Sequence, residues 1–215
     1  MTRLRIRRTG TLLLVLLLIC GAAAGADRGL QVGQLVDRSD LEGLRALGPA
    51  ALPELVRLYE KANEERRIAI ANLFYQLGQR SPDAERVLLR DVHTANPALR
   101  IGVQYALGRV SDDPKVIDTL VDILQHDASP VFRDKAACAL AYDQIHLTEA
   151  QKVHLYAGLI DALGSPKPGV QVLAIQALKI LTGQDKGFRR SDPPEKRQQS
   201  VEAWRRWLTE YRANL

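Results

Sequence analysis

Asn96-Pro97-Ala98-Leu99-Arg100 is restated thirty-three residues on as Ser129-Pro130-Val131-Phe132-Arg133. It returns thirty-eight residues later as Lys167-Pro168-Gly169-Val170-Gln171, with glutamine in the arginine place. Upstream by thirty-three stands Asn63-Glu64-Glu65-Arg66-Arg67, with glutamate in the proline place. Self-similarity at a period of about 20–50 residues marks a stack of supersecondary units. Each restated stretch opens a helix. A polar side chain caps the free N–H groups of the first turn, and the proline follows where its missing N–H costs nothing.

The segments between the stretches are helical too. Ser81-Pro82 and Asp113-Pro114 open further helices, and Leu55, Leu88 and Val121 recur at a spacing of thirty-three. Apolar residues at i, i+3 and i+4 in Ala51–Lys61 give the amphipathic stripe of a helix packed on one side. The chain therefore reads as outer helix, tight turn, inner helix, repeated four times. Asp40 caps a short helix ahead of the array, with Leu41, Leu44 and Leu47 on one side and Gly48-Pro49 as its stop. Thr148-Glu149-Ala150-Gln151 is a capping-box pattern at the head of the fourth outer helix, and a longer helix there is expected to account for the thirty-eight-residue spacing.

The arginines set the register of the inner helices. From Arg133 the positions +3, +4, +6 and +7 are Ala136, Ala137, Ala139 and Leu140; from Arg100 they are Val103, Gln104, Ala106 and Leu107, then Gly108. Small residues there allow neighbouring helices to approach to about 8–10 Å. This pattern, close to V-R-x-x-A-A-x-A-L-G and clearest at Phe132–Ala141 and Leu99–Gly108, resembles the HEAT-repeat family. The likeness is to the bacterial HEAT-like repeats also found in phycobilisome lyases. The turn signatures of ankyrin and tetratricopeptide repeats, which share the repeat length, are absent. The resemblance implies an all-α, right-handed solenoid of about four HEAT-like hairpins. It also implies that Arg67, Arg100 and Arg133 are structural, each paired with an aspartate near the end of the preceding helix. Asp127 stands in that place before Arg133, but Lys61 and Thr94 stand there before Arg67 and Arg100, so the ladder is expected to be incomplete.

The ends differ from the array. Arg3, Arg5, Arg7 and Arg8, the apolar run Leu12–Cys20 and the small residues Ala24-Gly25-Ala26 form the three parts of an export signal, with cleavage expected before Asp27. The run is short for a membrane span, which needs about 20 apolar residues; an uncleaved anchor is the other reading. Residues 27–40 read as a flexible leader, 41–183 as the solenoid and 184–215 as a loop with a closing helix. At the C-terminus, Leu181-Thr182-Gly183-Gln184-Asp185, Gly187-Phe188 and Trp204-Arg205-Arg206-Trp207 resemble a closing module that follows many bacterial HEAT arrays. Arg189-Arg190 stand where those tails commonly carry an acid. A terminal repeat exposes an apolar face that a cap must cover, and Trp204 and Trp207 are the expected cap, shielding part of Leu173 and Ile180.

Charge and cysteine usage narrow the function. The chain carries 30 Lys+Arg and 25 Asp+Glu, a net of +5. Four of those bases and none of the acids lie in residues 1–26, leaving 26 against 25, a net of +1. Nucleic-acid binding needs a sustained basic surface, which this balance does not supply. Cys20 leaves with the signal, and Cys138 alone makes neither a disulfide nor a metal site. His93 and His126 are repeat echoes, placed about 8–10 Å apart by helix packing, too far to share an ion that needs ligands at about 2 Å. No catalytic or phosphate-binding motif is present, so the reading is not an enzyme, with no cofactor and no metal.

The expected function is an exported, noncatalytic protein-interaction scaffold or adaptor of a bacterial envelope, working through the concave inner-helix face. Positions +5 and +9 from the repeat arginine point away from the core and supply its residues: Asn72, Gln76, Tyr105, Arg109, Tyr142 and Gln176. Tyr105, Arg109 and Tyr142 form an aromatic-plus-arginine group of the kind enriched at interaction hot spots. Two alternatives come from the resemblance: a lyase or accessory factor of the phycobilisome type, and nucleic-acid recognition like that of HEAT-like alkylpurine DNA glycosylases.

Overall fold

The computed structural model describes residues 29–215. The expected export signal and its expected cleavage point lie outside the described residues. Among the described residues every regular element is helical. In chain order they are α1 (29–37), α2 (Leu41–Leu47), a 3-10 turn at Gly48–Ala51, α3 (Leu52–Lys61), α4 (Glu64–Leu77), α5 (Pro82–Asp91) and α6 (Pro97–Val110). There follow α7 (Pro114–His126), α8 (Pro130–Tyr142), α9 (Glu149–Leu163), α10 (Pro168–Thr182) and α11 (Pro194–Ala213).

The restated stretches form the helix starts expected of them. Asn63 accepts from the Arg66 amide, Ser81 from Ala84, Asn96 from Ala98 and Leu99, and Asp113 from Lys115. Thr148 and Gln151 close a reciprocal capping box. Gly78 and Gly183 end α4 and α10 in the left-handed conformation, at φ 59° and 71°, where a side chain would be strained.

The helices stack in two layers. Inner helices α4, α6, α8 and α10 pack side by side, while α3, α5, α7, α9 and α11 form the outer layer. Each inner helix also packs on the outer helix of its own pair. Between the layers runs one continuous apolar core, through Leu55, Phe74, Leu88, Leu107, Leu120, Leu140, Leu159 and Leu178. The architecture is an α-solenoid of helical hairpins.

Three features depart from the sequence reading. The stretch 27–40 is not a loose leader where it is described: residues 29–37 are helical, and Val32 and Val36 are buried in the core. With α2 packed on α4, and Arg66 paired to Asp37 at 2.8 Å, α1 and α2 make an abbreviated extra hairpin before the four expected ones. The thirty-eight-residue spacing resides mostly in connections, not in α9. The α8–α9 loop has six residues, 143–148, where the α6–α7 loop has three, 111–113.

The arginine ladder runs in the opposite direction from the one expected. Arg67 pairs with Asp91 at 3.3 Å and Arg100 pairs with Asp127, so each acid comes from the end of the next outer helix, not the preceding one. Asp127 therefore belongs to Arg100; Arg133 touches only its backbone carbonyl, at 2.7 Å. What each arginine takes from the preceding helix is carbonyl oxygens. Arg67 Nε donates to the Tyr59 carbonyl and Arg100 Nε to that of Val92, both at 3.2 Å, and Gln171 Nε2 donates to Ser165 at 2.8 Å. Cations at a helix C-terminus satisfy orphan carbonyls and complement the helix dipole. Arg67 and Arg100 thus each join the preceding outer helix, their own inner helix and the next outer helix, whereas Arg133 reaches only the preceding one.

Candidate functional site

The inner-helix face is built from positions repeated along α4, α6, α8 and α10. Asn72, Gln76 and Gln176 are exposed there, as expected from their register. Tyr142 is 61% exposed and Ile180 45%. Tyr105 is half-buried, with its ring centroid 6.0 Å from that of Tyr75.

The expected Tyr105–Arg109–Tyr142 group is divided. Arg109 lies over the Tyr75 ring, 4.5 Å from its centroid, and its Nε donates to Asp143 Oδ1 at 3.1 Å. Asp143 is almost wholly buried, and burial pushes its carboxyl above the ordinary range against the pull of Arg109 and the Tyr75 hydroxyl. Arg109 is therefore committed within the fold and is not a free cation on the surface. The group sits under the 143–148 loop, which also brings His146 Nε2 to the Gly78 and Arg109 carbonyls at 3.0 and 2.9 Å. One inserted loop thus ties the C-terminal ends of α4, α6 and α8 together.

Tyr142 belongs to a different place, a groove of about 470 Å³ between α8 and α10. Its floor is Ala137, Cys138, Ala141 and Ala177, whose side chains are too short to fill the space between the helices. Tyr142, Leu173 and Ile180 form its sides, and Asp134, Gln176 and Lys179 lie at its mouth. The size falls within the range of ligand-binding clefts, about 300–1,000 Å³, and an apolar lining with few polar groups is their usual composition. Burial and the nearby Asp134 raise the Cys138 thiol above its ordinary value, so it is held protonated and is a poor nucleophile. The Asp134 carboxylate, at 2.9 Å, and the Tyr105 phenol hold the Lys135 ammonium above the usual lysine range. The chemistry offered is apolar contact edged by charge, without an activated group.

The tryptophans sit elsewhere. Helix α11 packs chiefly on α9, continuing the outer layer. Trp204 is wholly buried; Trp207 stacks edge-on to it at 5.3 Å and to Tyr156 at 5.1 Å, and Tyr211 completes the cluster. The expectation that these tryptophans shield Leu173 and Ile180 is corrected by this arrangement: those residues line the open groove on the other layer. Arg189, in the place where an acid is common, binds back to Asp185 at 2.8 Å and closes the turn.

The histidines are dispersed. His93 stands 3.4 Å from Arg100, His126 and His154 pair with Asp122 and Asp118, and His146 serves the loop. Among the described residues no group of three or more His, Cys, Asp or Glu side chains is placed to hold a metal ion. No helix among them is long and apolar enough to cross a membrane.

Sequence reasoning missed Tyr75, Asp143 and His146. Tyr75 falls at +8, one position short of the register inspected, and the other two lie in the 143–148 loop, whose extra length the sequence reading assigns to a longer α9.

Layered hairpins, with a groove between two of the inner helices, define an α-solenoid. Residues 52–141, spanning α3 through α8, match the family model described as HEAT repeats, and the match supports a HEAT-repeat protein. No curated protein matches the chain.

Proposed function

We propose that this protein is an exported, noncatalytic interaction scaffold or adaptor that holds a protein partner on its inner-helix face. The observation that carries the reading is the α8/α10 groove: apolar, open, and flanked by the exposed Tyr142 and Ile180. HEAT repeats commonly mediate protein–protein contacts, and the inner helices of a solenoid provide the extended surface for them. Export rests on the basic residues Arg3–Arg8, the apolar run and the small-residue site, which together have the form of a secretory signal. The C-terminal segment acts as a closing module by covering α9 with the Trp204–Trp207–Tyr211 cluster.

The test is affinity capture from envelope extract with mild crosslinking, using the tagged chain beside a Tyr142→Ala/Ile180→Ser double variant. A partner retained by the parent and lost by the variant supports the reading; retention by both moves the surface off the groove. Fractionation of expressing cells, with the N-terminal mass of the recovered protein, tests export and cleavage before Asp27 together.

A further inference from the structure

The inner helices form three successive junctions, and their equivalent positions can be compared one by one. Position +8 from the repeat arginine is Tyr75 in α4, Gly108 in α6 and Ala141 in α8. In the α4/α6 junction Tyr75 fills the space itself, stacked between Tyr105 and Arg109, which are +5 and +9 of α6. In the α6/α8 junction Gly108 leaves room for the inserted loop: a Cβ there would lie 2.7 Å from Gln144 Nε2 and 3.0 Å from Asp143 Cβ. In the α8/α10 junction the +8 residue is Ala141, and the +5 and +9 residues of α10 are Gln176 and Ile180. All three line the open groove. The groove is thus the one junction of the three whose +8 site is filled neither by a long side chain nor by the loop.

We infer that this groove receives an aromatic side chain from a partner polypeptide, seated over Ala141 against Gln176 and Ile180 as Tyr75 is seated against Tyr105 and Arg109. At the mouth Asp134 is paired with Lys135 at 2.9 Å, whereas the exposed Lys179 makes no salt bridge among the described residues and acts on Asp185 only at longer range, so the favoured segment carries an acidic residue beside the aromatic one. Aromatic anchors in desolvated pockets dominate binding energy at protein interfaces, and an exposed lysine at the rim adds charge selectivity. This inference deepens the scaffold reading and rests on it.

The experiment fills the groove from within. Ala141→Tyr restores at +8 the residue that α4 carries, and Ile180→Asp, at an exposed position, removes one side of the seat without touching the core. The probe is a short synthetic peptide with a tryptophan followed by aspartate between glycine–serine spacers. It is titrated into the isotope-labelled full chain and followed by amide chemical shifts. Saturable shifts centred on Cys138, Ala141 and Ile180 are expected, with affinity weakened about tenfold or more by either variant. A peptide with lysine for aspartate is expected to bind about threefold or more weakly, and one with alanine for tryptophan to give no saturation. Equal binding by parent and both variants, or no saturation with the tryptophan peptide, overturns the inference. The scaffold reading fails separately: a partner captured from envelope extract equally by the parent and Ala141→Tyr leaves a scaffold standing and this seat refuted, whereas capture of nothing by the parent refutes the scaffold.

Discussion

Removing the acid from the central rung of the arginine ladder should cost far more than its place near the surface suggests. Arg100 and Asp127 side chains are 13% and 10% exposed, so each charge is largely withdrawn from water and depends on the other. Stripping one partner from such a pair costs about 3–5 kcal/mol, because a buried charge is left uncompensated. Arg100 keeps the Val92 carbonyl and its position 4.0 Å from the Phe132 ring, which places Asp127→Ala near the lower end, about 3 kcal/mol. For a chain of 215 residues, a melting point falls about 2–4 °C per kcal/mol, so the expected drop is about 6–12 °C. Arg100→Met should also destabilise, since it strands the Asp127 carboxylate. Combining it with Asp127→Leu should recover much of the loss, because an apolar pair of similar volume carries no desolvation penalty. The control is Arg80→Ala: Arg80 is 59% exposed in its pair with Asp112, and its loss should cost under about 1 kcal/mol. Urea unfolding of these variants, with Asp127→Leu alone as the second single of the pair, closes the cycle. Strictly additive single effects, or a loss below that of the Arg80 control, would refute a buried, mutually dependent rung.

Further expectations follow from other contacts. Trp204→Ala should destabilise by about 3–5 kcal/mol, as large-to-small changes at wholly buried aromatics do, and an unchanged melting curve would refute the proposal that α11 closes the array. Gly108→Ala should cost about 1–3 kcal/mol because the Asp143–Gln144 backbone must move aside, and the chemical shifts of His146 should report the movement. By contrast, Gly102→Ala meets only ordinary contacts at 3.7 Å and should be neutral or stabilising by up to about 1 kcal/mol in thermal unfolding. Burial raises the folded-state pKa of Asp143 above the unfolded value of about 3.9, so the folded state binds the extra proton between those two values. Relative to Asp143→Asn, the parent should therefore gain stability as pH falls through that window and hold it below; a difference independent of pH would contradict the buried carboxylate.

The sequence by itself determined the solenoid and its register. Caps such as Asn63, Ser81, Asn96 and Thr148, the prolines behind them and the thirty-three-residue echo of Leu55, Leu88 and Val121 act within one hairpin. Local hydrogen bonding and amphipathic periodicity are therefore enough to specify them. The inner face was legible as a register, since a helix presents the same positions at each repeat. The tertiary structure alone decided which residues of that face are free. Arg109 looks like a surface cation in sequence, yet Tyr75, thirty-four residues away, and Asp143, in an inserted loop, enclose it. Asp127 looks like the partner of Arg133, six residues off, but stacking brings it to Arg100 of the preceding repeat. Trp204 and Trp207 were expected to cover an apolar face, but which layer they pack in depends on how α11 docks on α9. The open groove is likewise a property of three helix junctions compared, in which short alanines leave unfilled what Tyr75 and the 143–148 loop fill elsewhere. Contacts between repeats are set by packing of distant segments, and no periodicity within one repeat encodes which of them will meet.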